Sequence, residues 1–254
     1  MKKLSSCVSR FMLLLCLGAS VCGCATTKAH LPPEEPPMHS IEEFTDDENM
    51  LFVDDPWIGF NKNIYKFNYY ADEKVILPVT RGYEFITPGF MQTGVSNFFN
   101  NIGEVKTLYN SLLQGKGGKS LNALGRFLTN STVGIGGLFE VAKSMGMERK
   151  PEDFGQTLGV WGVGSGPYLV VPILGPNTVR STTGFVADTG TRMAMVNAID
   201  PLENAPEVET GLTALEFVDS RHQVKFRYHK SHYPFEYFMI RYLLMQQQEF
   251  QVMK

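Results

Sequence analysis

The feature that most constrains this chain is an uncharged stretch of 26 residues, FGQTLGVWGVGSGPYLVVPILGPNTV, from Phe154 to Val179. By length and charge it matches a membrane-spanning helix, which needs about 20 apolar residues. The stretch nevertheless contains six glycines and three prolines. Such irregular backbone is tolerated at membrane depth only where protein buries it or where it lines a cavity. The sequence therefore predicts an uncharged loop here and argues against a simple spanning helix.

The first 23 residues have the order of a secretory signal peptide. Lys2, Lys3 and Arg10 make a basic start, an apolar run covers residues 11–21, and small residues follow. The apolar run is about half as long as a spanning helix requires. We therefore predict a lipoprotein signal peptide over residues 1–23.

A sequence that resembles the bacterial lipobox, VCGC, ends this signal and places Cys24 at the start of the mature chain. By that resemblance Cys24 is acylated, and Ala25, in place of aspartate, directs the lipoprotein to the outer membrane. All four cysteines lie at or before residue 24, so Cys24 has no disulfide partner in the mature chain. Multiple acyl chains anchor a protein stably. The alternative is an ordinary signal peptide cut nearby, with Cys24 incidental.

Residues 24–54 are predicted to form the acylated N-terminus and a stiff, solvated tether, because they combine paired prolines with acidic residues. Nine acidic residues and a single lysine lie between residues 24 and 55. Residues 56–254 then carry 17 acidic and 19 basic residues. This balance lacks the concentrated basic charge that nucleic-acid backbones require. Nucleic acid is therefore not predicted as a partner.

Residues 55–254 are predicted to form a single, mainly α-helical domain. Asp55 and Pro56 predict an N-cap and a first helical turn, and Pro78 predicts the end of that helix. Alternating strands separated by turn signals are not predicted. Further helices are predicted at residues 94–115, 120–130, 137–145, 181–197, 207–230 and 235–250.

Apolar side chains recur at helical spacing along these segments. In the first helix they are Trp57, Phe60, Ile64 and Phe67. Large apolar side chains are most often buried. The pattern therefore predicts that most of the aromatic side chains form a core.

A search for catalytic and metal-binding motifs finds no complete set. The sequence GKS at residues 118–120 lacks the first glycine of a phosphate-binding loop, because position 113 is leucine. A nucleophile elbow needs glycine two residues before and two residues after the serine, and around Ser165 these positions hold Val163 and Pro167. His229 and His232 have metal-ligand spacing, but no carboxylate pattern completes the site, and a surface pair is the favoured interpretation. We predict a protein that is not an enzyme, with no cofactor and no metal site.

Five segments, in order, resemble the MlaA (VacJ) family of lipoproteins and together cover roughly residues 54–225. Their sequences are DPWIGFNKNIYKFNYYADEKVILPV, GVSNFFNNIGEVKTLYNSLLQG, LGRFLTNSTVGIGGLFEVA, EDFGQTLGVWGVGSGPYLVVPILGPNTVR and FVDSRHQV. The chain departs from the family near its C-terminus, at Tyr233-Pro234-Phe235, and at Ser181, where an acid is common. These departures put the contacts of the last helix in doubt.

The resemblance implies a ring-like assembly of amphipathic helices lying in the inner leaflet of the outer membrane, on its periplasmic face. It implies association with a trimeric porin and an amphipathic passage through the middle of the protein. Phospholipids mislocalised to the outer leaflet would pass to a soluble periplasmic carrier for retrograde transport. Such transfer needs no bond to be made or broken. The implied partners are thus phospholipid, a porin and a carrier.

Within this expectation the uncharged stretch has two interpretations. It either forms part of the wall of the lipid passage or merely closes the helical ring as a buried loop. Trp161 and Tyr168 are side chains typical of the interface between headgroups and tails, and glycine allows close backbone approach. The candidate residues for the passage are Phe67, Asn68, Trp161, Gly162, Gly164, Gly166, Pro167 and Tyr168.

Three classes of function follow. The leading one is a lipoprotein that transports phospholipids and maintains lipid asymmetry. A purely structural lipoprotein that braces a porin is the second. An enzyme that modifies lipids is the third, and the absence of a nucleophile–base motif in the sequence weighs against it.

Overall fold

The computed structural model of the chain describes residues 55–199, 206–230 and 235–253. All of them belong to one compact unit. The predicted signal peptide, the acylation site Cys24 and the tether up to residue 54 lie outside the described residues. The predicted domain boundaries stay predictions.

Most of the described chain is α-helical, as predicted. No helix among the described residues is both long and apolar enough to cross a membrane. The ring-like arrangement stays a prediction. In chain order the elements are α1 (Ile58–Ala71), a π-helical segment (Asp72–Ile76), α2 (Leu77–Ile86), α3 (Gly89–Leu113), α4 (Gly117–Thr132), α5 (Val141–Ser144), α6 (Phe154–Val160), β1 (Tyr168–Val171), β2 (Gly175–Thr178), α7 (Val179–Ile199), α8 (Pro206–Gln223) and α9 (Glu236–Met253).

The first helix does not end at Pro78, and that prediction is wrong. Helix α1 continues through the π-helical segment into α2, where Pro78 is the second residue. Proline lacks an N–H group and its ring clashes with the carbonyl four residues earlier in a regular α-helix. The wider π-helical turn comes directly before Pro78 and accommodates the proline. The chain therefore stays helical through residue 86.

The predicted N-cap Asp55 does not directly precede the first helix, which begins at Ile58. One carboxylate oxygen of Asp55 accepts hydrogen bonds from the Trp57 backbone N–H at 3.2 Å and from Asn61 Nδ2 at 2.8 Å. The other accepts from the Tyr237 hydroxyl at 2.6 Å. Asp55 therefore stabilises the turn before α1 and also joins it to α9.

The interior of the described chain is mostly polar. Twenty-two polar or charged residues are buried, against eight apolar ones. Many large apolar side chains are exposed instead, among them Phe85 (90% exposed), Phe90 (78%) and Leu121 (71%). Extended exposed apolar surface marks an interaction with protein or membrane. The polarity of this chain is inverted relative to an ordinary soluble protein.

The prediction that most aromatic side chains form a core is wrong for the first helix. Trp57, Phe60 and Phe67 are between 43% and 53% exposed. The opposite face of α1 is the buried one, and it carries Asn61 and Asn68. Apolar periodicity identified a helix and its apolar face, but periodicity alone does not tell whether that face meets a core or an external apolar medium.

Helices α3 and α4 are joined by buried charged and polar groups. Arg126 on α4 is 2% exposed and donates to Glu104 of α3 and to Glu140, each at 2.7 Å. Asn101 Nδ2 donates to the Ser131 hydroxyl at 2.8 Å. Buried charges are tolerated when they are paired and hydrogen-bonded. This network fixes the polar faces of the two helices toward each other.

Helix α9 contacts β2 and α6, which answers the question raised by the divergent C-terminus. The Thr178 hydroxyl donates to Gln248 Oε1 at 2.8 Å. Gly159 lies so close to Val252 that a Cβ there would stand 2.4 Å from its Cγ2. Ser181 accepts a hydrogen bond from the Thr178 backbone N–H at 2.9 Å. Tyr233 and Pro234 lie outside the described residues.

Candidate functional site

The uncharged stretch folds into three successive parts. Its first part is α6, whose N-cap Asp153 accepts a hydrogen bond from the Gln156 backbone N–H at 2.8 Å. An irregular loop follows at residues 161–167, which we call the glycine loop. The third part is the antiparallel hairpin of β1 and β2, in which Tyr168 pairs with Thr178 and Val171 with Gly175.

The glycine loop is largely exposed, and two of its glycines have left-handed backbone. Gly162 has φ 91° and Gly166 has φ 68°, a conformation that residues with a Cβ rarely adopt. Gly164 has no positive φ. A Cβ at Gly162 or Gly164 would meet nothing within 4 Å. Glycine is therefore required by the backbone at 162 and 166, whereas at 164 it only leaves the surface open.

Residues at the start of α7 donate hydrogen bonds to carbonyl groups of the glycine loop. Arg180 Nη1 donates to the Val163 carbonyl at 3.0 Å, and the Arg180 backbone N–H donates to the Ser165 carbonyl at 3.2 Å. The Val179 backbone N–H donates to the carbonyl of Pro167, a half-buried residue, at 3.1 Å. Burial lowers the pKa of the Arg180 guanidinium, since its charge is partly removed from water.

Asn61 joins the first strand of the hairpin to α1. Its Nδ2 donates to the Tyr168 carbonyl at 3.0 Å, and its Oδ1 accepts from the Val170 backbone N–H at 2.8 Å. The Asn61 side chain is fully buried. Asn61 therefore takes the place of a third strand beside β1.

Asn68, a predicted passage residue, holds the tip of the hairpin. Its Nδ2 donates to the Val171 carbonyl at 2.9 Å, and its Oδ1 accepts from the Ile173 backbone N–H at 2.7 Å. Ile173 has φ 68°, which is uncommon for a β-branched residue. Asn68 is 2% exposed, whereas its neighbour Phe67 points outward and is 51% exposed.

Tyr168 lies in the protein interior, so its predicted position at a membrane interface is wrong. It is fully buried and packs edge-on against Tyr237, with ring centroids 5.9 Å apart. Burial raises the pKa of the Tyr168 hydroxyl well above its ordinary value. Tyr168 belongs with Tyr65, Val170 and Phe238 to the small apolar core of the described chain.

Trp161 stands at the edge of an apolar cavity. The indole is 54% exposed, its Nε1 donates to the Leu113 carbonyl at 3.1 Å, and its ring lies edge-on to Phe154 with centroids 5.8 Å apart. Leu113 and Phe154 both line the cavity, whose volume is about 500 Å³. Its walls come from α3, α6 and α7. The lining residues are Tyr109, Leu112, Leu113, Phe154, Ala187, Thr191 and Met195.

Asp188 ties the three walls of the apolar cavity together. Its carboxylate accepts from the Tyr109 hydroxyl at 2.6 Å, from Asn110 Nδ2 at 3.0 Å and from the Phe154 backbone N–H at 3.0 Å. Burial and the hydrogen bond to Asp188 raise the pKa of Tyr109. Sequence reasoning missed Asp188 because its partners lie 34 to 79 residues away and form no motif.

The structure therefore separates the predicted passage residues into two groups. Phe67 and the loop glycines are exposed, and Trp161 is exposed beside the apolar cavity, whereas Asn68 and Tyr168 are buried around the hairpin. Among the described residues, no group of three potential metal ligands comes together. His229 lies in a turn with φ 58°, and His232 lies outside the described residues.

Comparison with known proteins identifies relatives of this chain. A protein of Rickettsia typhi named only as uncharacterized is 35% identical over 176 residues, which are 68% of this chain and 67% of that protein. The intermembrane phospholipid transport system lipoprotein MlaA of Escherichia coli K12 is 36% identical over 138 residues, or 53% of this chain and 55% of the relative. The chain thus spans about half to two thirds of the length of these relatives.

A solved structure is similar in fold. It comes from work on the structural basis for maintenance of bacterial outer membrane lipid asymmetry. It aligns with a TM-score of 0.60 and 28% identity, covering 79% of this chain and 100% of the solved chain. The family model described as MlaA lipoprotein matches residues 53–251. The resemblance read from the sequence is confirmed, and the chain belongs to the MlaA lipoprotein family.

Proposed function

We propose that this protein is an outer-membrane lipoprotein that maintains lipid asymmetry. It removes mislocalised phospholipids from the outer leaflet and passes them to a soluble periplasmic carrier for retrograde transport. Relatives in Escherichia coli and Haemophilus influenzae, named as lipoproteins of an intermembrane phospholipid transport system, support this proposal. The observation that carries it is the inverted polarity of the chain, with a polar interior and an apolar exterior.

The exposed apolar surface supports a position within one leaflet. At the corner between α2 and α3, Val79, Phe85, Ile86, Phe90 and Met91 are between 49% and 90% exposed. Burial of apolar surface contributes about 25 cal/mol per Å². The described helices offer this surface without a segment that crosses the bilayer. Insertion into the inner leaflet of the outer membrane would cover the surface.

The apolar cavity supports contact with a lipid tail. Its volume of about 500 Å³ falls within the range of about 300–1,000 Å³ typical of ligand pockets. Five of its seven lining side chains are hydrocarbon, aromatic or thioether groups without a polar hydrogen. Trp161 at its edge is a side chain that favours the boundary between headgroups and tails. We assign the cavity to an acyl chain of the transported phospholipid.

The anchor and the protein partners belong to the same proposal. Acylated Cys24 would hold the chain in the inner leaflet, on the periplasmic face. A trimeric porin and a soluble periplasmic carrier would complete the route. Family resemblance supports both partners.

Transport requires no covalent chemistry, and this separates the proposal from a lipid-modifying enzyme. Radiolabelled phospholipid incubated with the purified protein is expected to stay intact, as thin-layer chromatography would report. Release of labelled fatty acid would overturn the assignment as a transport protein.

The decisive test of transport uses a strain that lacks the gene. Outer-leaflet phosphatidylethanolamine, labelled with a membrane-impermeant amine reagent, is expected to rise and to return to normal with the wild-type gene. Ala187→Phe fills the apolar cavity and should fail to restore asymmetry. Val186→Phe is the matched control, because Val186 is 64% exposed and is not a lining residue. A deletion without accumulation would favour a structural, porin-bracing role.

A further inference from the structure

Arg180 differs from the other buried arginines of the described chain. Arg126 pairs with two carboxylates at 2.7 Å, and Arg241 pairs with Asp55 at 3.3 Å. Arg180 is 8% exposed, yet it makes no ion pair with the described residues. A buried charge without a partner is costly. The buried charge of Arg180 therefore indicates a ligand or a functional role.

The contacts of Arg180 leave most of its guanidinium unused. Nη1 donates to the Val163 carbonyl, while Nε is enclosed and has no hydrogen-bond partner. Asp153 and Glu249 are the acids whose charges act on Arg180. Neither lies within ion-pair distance, and the Asp153 carboxylate already accepts from Gln156 at 2.8 and 3.0 Å. The positive charge of Arg180 is thus directed at the glycine loop without direct neutralisation.

The glycine loop offers backbone donors on the same short segment. The N–H groups of Gly164, Ser165 and Gly166 make no hydrogen bond within the described part of the chain. Gly162 and Gly164 present open space where a side chain would stand, so a ligand can approach the backbone closely. Arg180 binds the carbonyl of the peptide group whose N–H belongs to Gly164, and this polarises that donor.

We propose that the backbone N–H groups of the glycine loop bind the phosphodiester of a phospholipid headgroup, while Arg180, on the carbonyl side of the same peptide groups, polarises these donors and supplies positive charge. Successive backbone N–H groups are anion donors, and an arginine adds the charge that strengthens such hydrogen bonds. Trp161 directly precedes Gly162 and borders the apolar cavity. The loop would hold the headgroup while the cavity holds a tail. This inference rests on the proposed function and names the headgroup site for it.

A second basic cluster, at the N-terminus of α4, already has an anionic partner. Lys119 Nζ donates to Glu152 Oε1, and Lys116 Nζ lies 3.7 Å from the same oxygen. Glu152 is 2% exposed and supplies the anion for this cluster from within the chain. The uncompensated charge at Arg180 is therefore the better phosphate site.

The test measures binding of two matched lipids to the full-length lipoprotein in detergent micelles. Fluorescent phosphatidylglycerol carries the phosphodiester, and diacylglycerol with the same chains lacks it. We expect Arg180→Gln to weaken phosphatidylglycerol binding about tenfold, because the loop donors lose the positive charge that polarises them, and to leave diacylglycerol binding unchanged. Arg180→Lys should keep part of the preference. Arg192→Gln, which removes a half-exposed charge on the same helix, should match wild type.

The outcomes separate the roles of Arg180. Equal weakening of both lipids in Arg180→Gln, or an unchanged preference, would overturn the headgroup site while leaving the proposed function standing. Wild-type protein that binds neither lipid would overturn both. Displacement of phosphatidylglycerol by millimolar inorganic phosphate would identify a free-phosphate site and overturn the lipid assignment. Circular dichroism melting confirms that each variant is folded.

Discussion

The glycine loop and the hairpin lie next to each other in one uncharged stretch, yet they differ in burial and in hydrogen bonding. In the loop, Gly162 and Gly164 are exposed and successive N–H groups have no partner within the described residues. In the hairpin, Tyr168 and Val170 are fully buried. Absence of charge does not separate the two parts, because both are uncharged and both contain glycine, proline and apolar residues.

What separates the two halves is a set of partners elsewhere in the chain. Asn61 and Asn68, on one face of α1, satisfy the outer edge of β1 and the hairpin tip. The loop receives hydrogen bonds at its carbonyls, from Val179 and Arg180, and none of these bonds uses its donors. Distant amide side chains therefore make the hairpin structural, and the loop keeps donors for a ligand.

The largest effect is expected from removing the support of the hairpin. Asn61→Leu leaves the buried Tyr168 carbonyl and Val170 N–H without partners, which should lower the free energy of unfolding by about 3 kcal/mol. Asn63→Leu, on the exposed face of the same helix, should change it by less than about 0.5 kcal/mol. Denaturant unfolding in detergent measures both. Equal losses would mean that the hairpin does not depend on this asparagine.

A smaller effect is expected when the loop backbone is strained. Gly162→Val forces a β-branched residue into φ 91°, which costs about 1–2 kcal/mol and shifts the loop. Lipid passage should fall, and outer-leaflet phospholipid should rise, with membrane attachment unchanged. Gly136→Val places the same strain, at φ 68° and with open space around it, outside the glycine loop and should behave like wild type. If the two variants behave alike in the surface-labelling assay, loop conformation is not the cause.

A substitution at the hairpin tip is expected to raise the stability of the protein. Ile173→Gly relieves the left-handed strain at φ 68°, and the free energy of unfolding should rise by about 1 kcal/mol. The side chain is 54% exposed, so little packing is lost. Thermal melting of the purified protein would report the gain. A lower melting temperature would show that Ile173 makes a contact that stabilises the tip.

The smallest expected effect is a dependence of the free energy of unfolding on pH, through a histidine near the hairpin. His229 packs edge-on against Tyr65 of the core cluster, and burial lowers the pKa of His229, with Glu236 opposing the shift. A lowered folded-state pKa means that the unfolded chain binds more protons, so this contribution to stability is complete above pH about 6.5 and is lost as pH falls below it. His229→Gln should flatten the acid limb of the stability curve. A greater loss in the variant would contradict this sign.

The sequence predicted the long helices because their apolar residues repeat at helical spacing. It missed α2, and it missed α6, which lies in the stretch predicted as a loop. The prediction that the apolar face of α1 meets a core was wrong, because apolar spacing alone does not distinguish a core from an external apolar medium, and Phe60 and Phe67 are exposed. The hairpin escaped detection because its strands have four residues each and rely on Asn61 and Asn68 about 100 residues earlier.

The candidate site was predicted only in part. Glycine content pointed to the loop, and an interface preference singled out Trp161, whose side chain is 54% exposed. The same preference failed for Tyr168, because sequence gives no measure of the neighbours that bury it. The apolar cavity needs α3, α6 and α7 side by side, and the Asp188 contacts that hold these helices together leave no local pattern.

Photocrosslinking at two positions tests the central contrast most directly. Benzoylphenylalanine replaces Trp161 or Tyr168 in cells whose phospholipids carry ³²P, and the protein is purified after irradiation. We predict labelled lipid on the protein crosslinked from position 161 and none from position 168. Label at position 168, or its absence at position 161, would contradict the account in which the glycine loop meets phospholipid and the hairpin supports it.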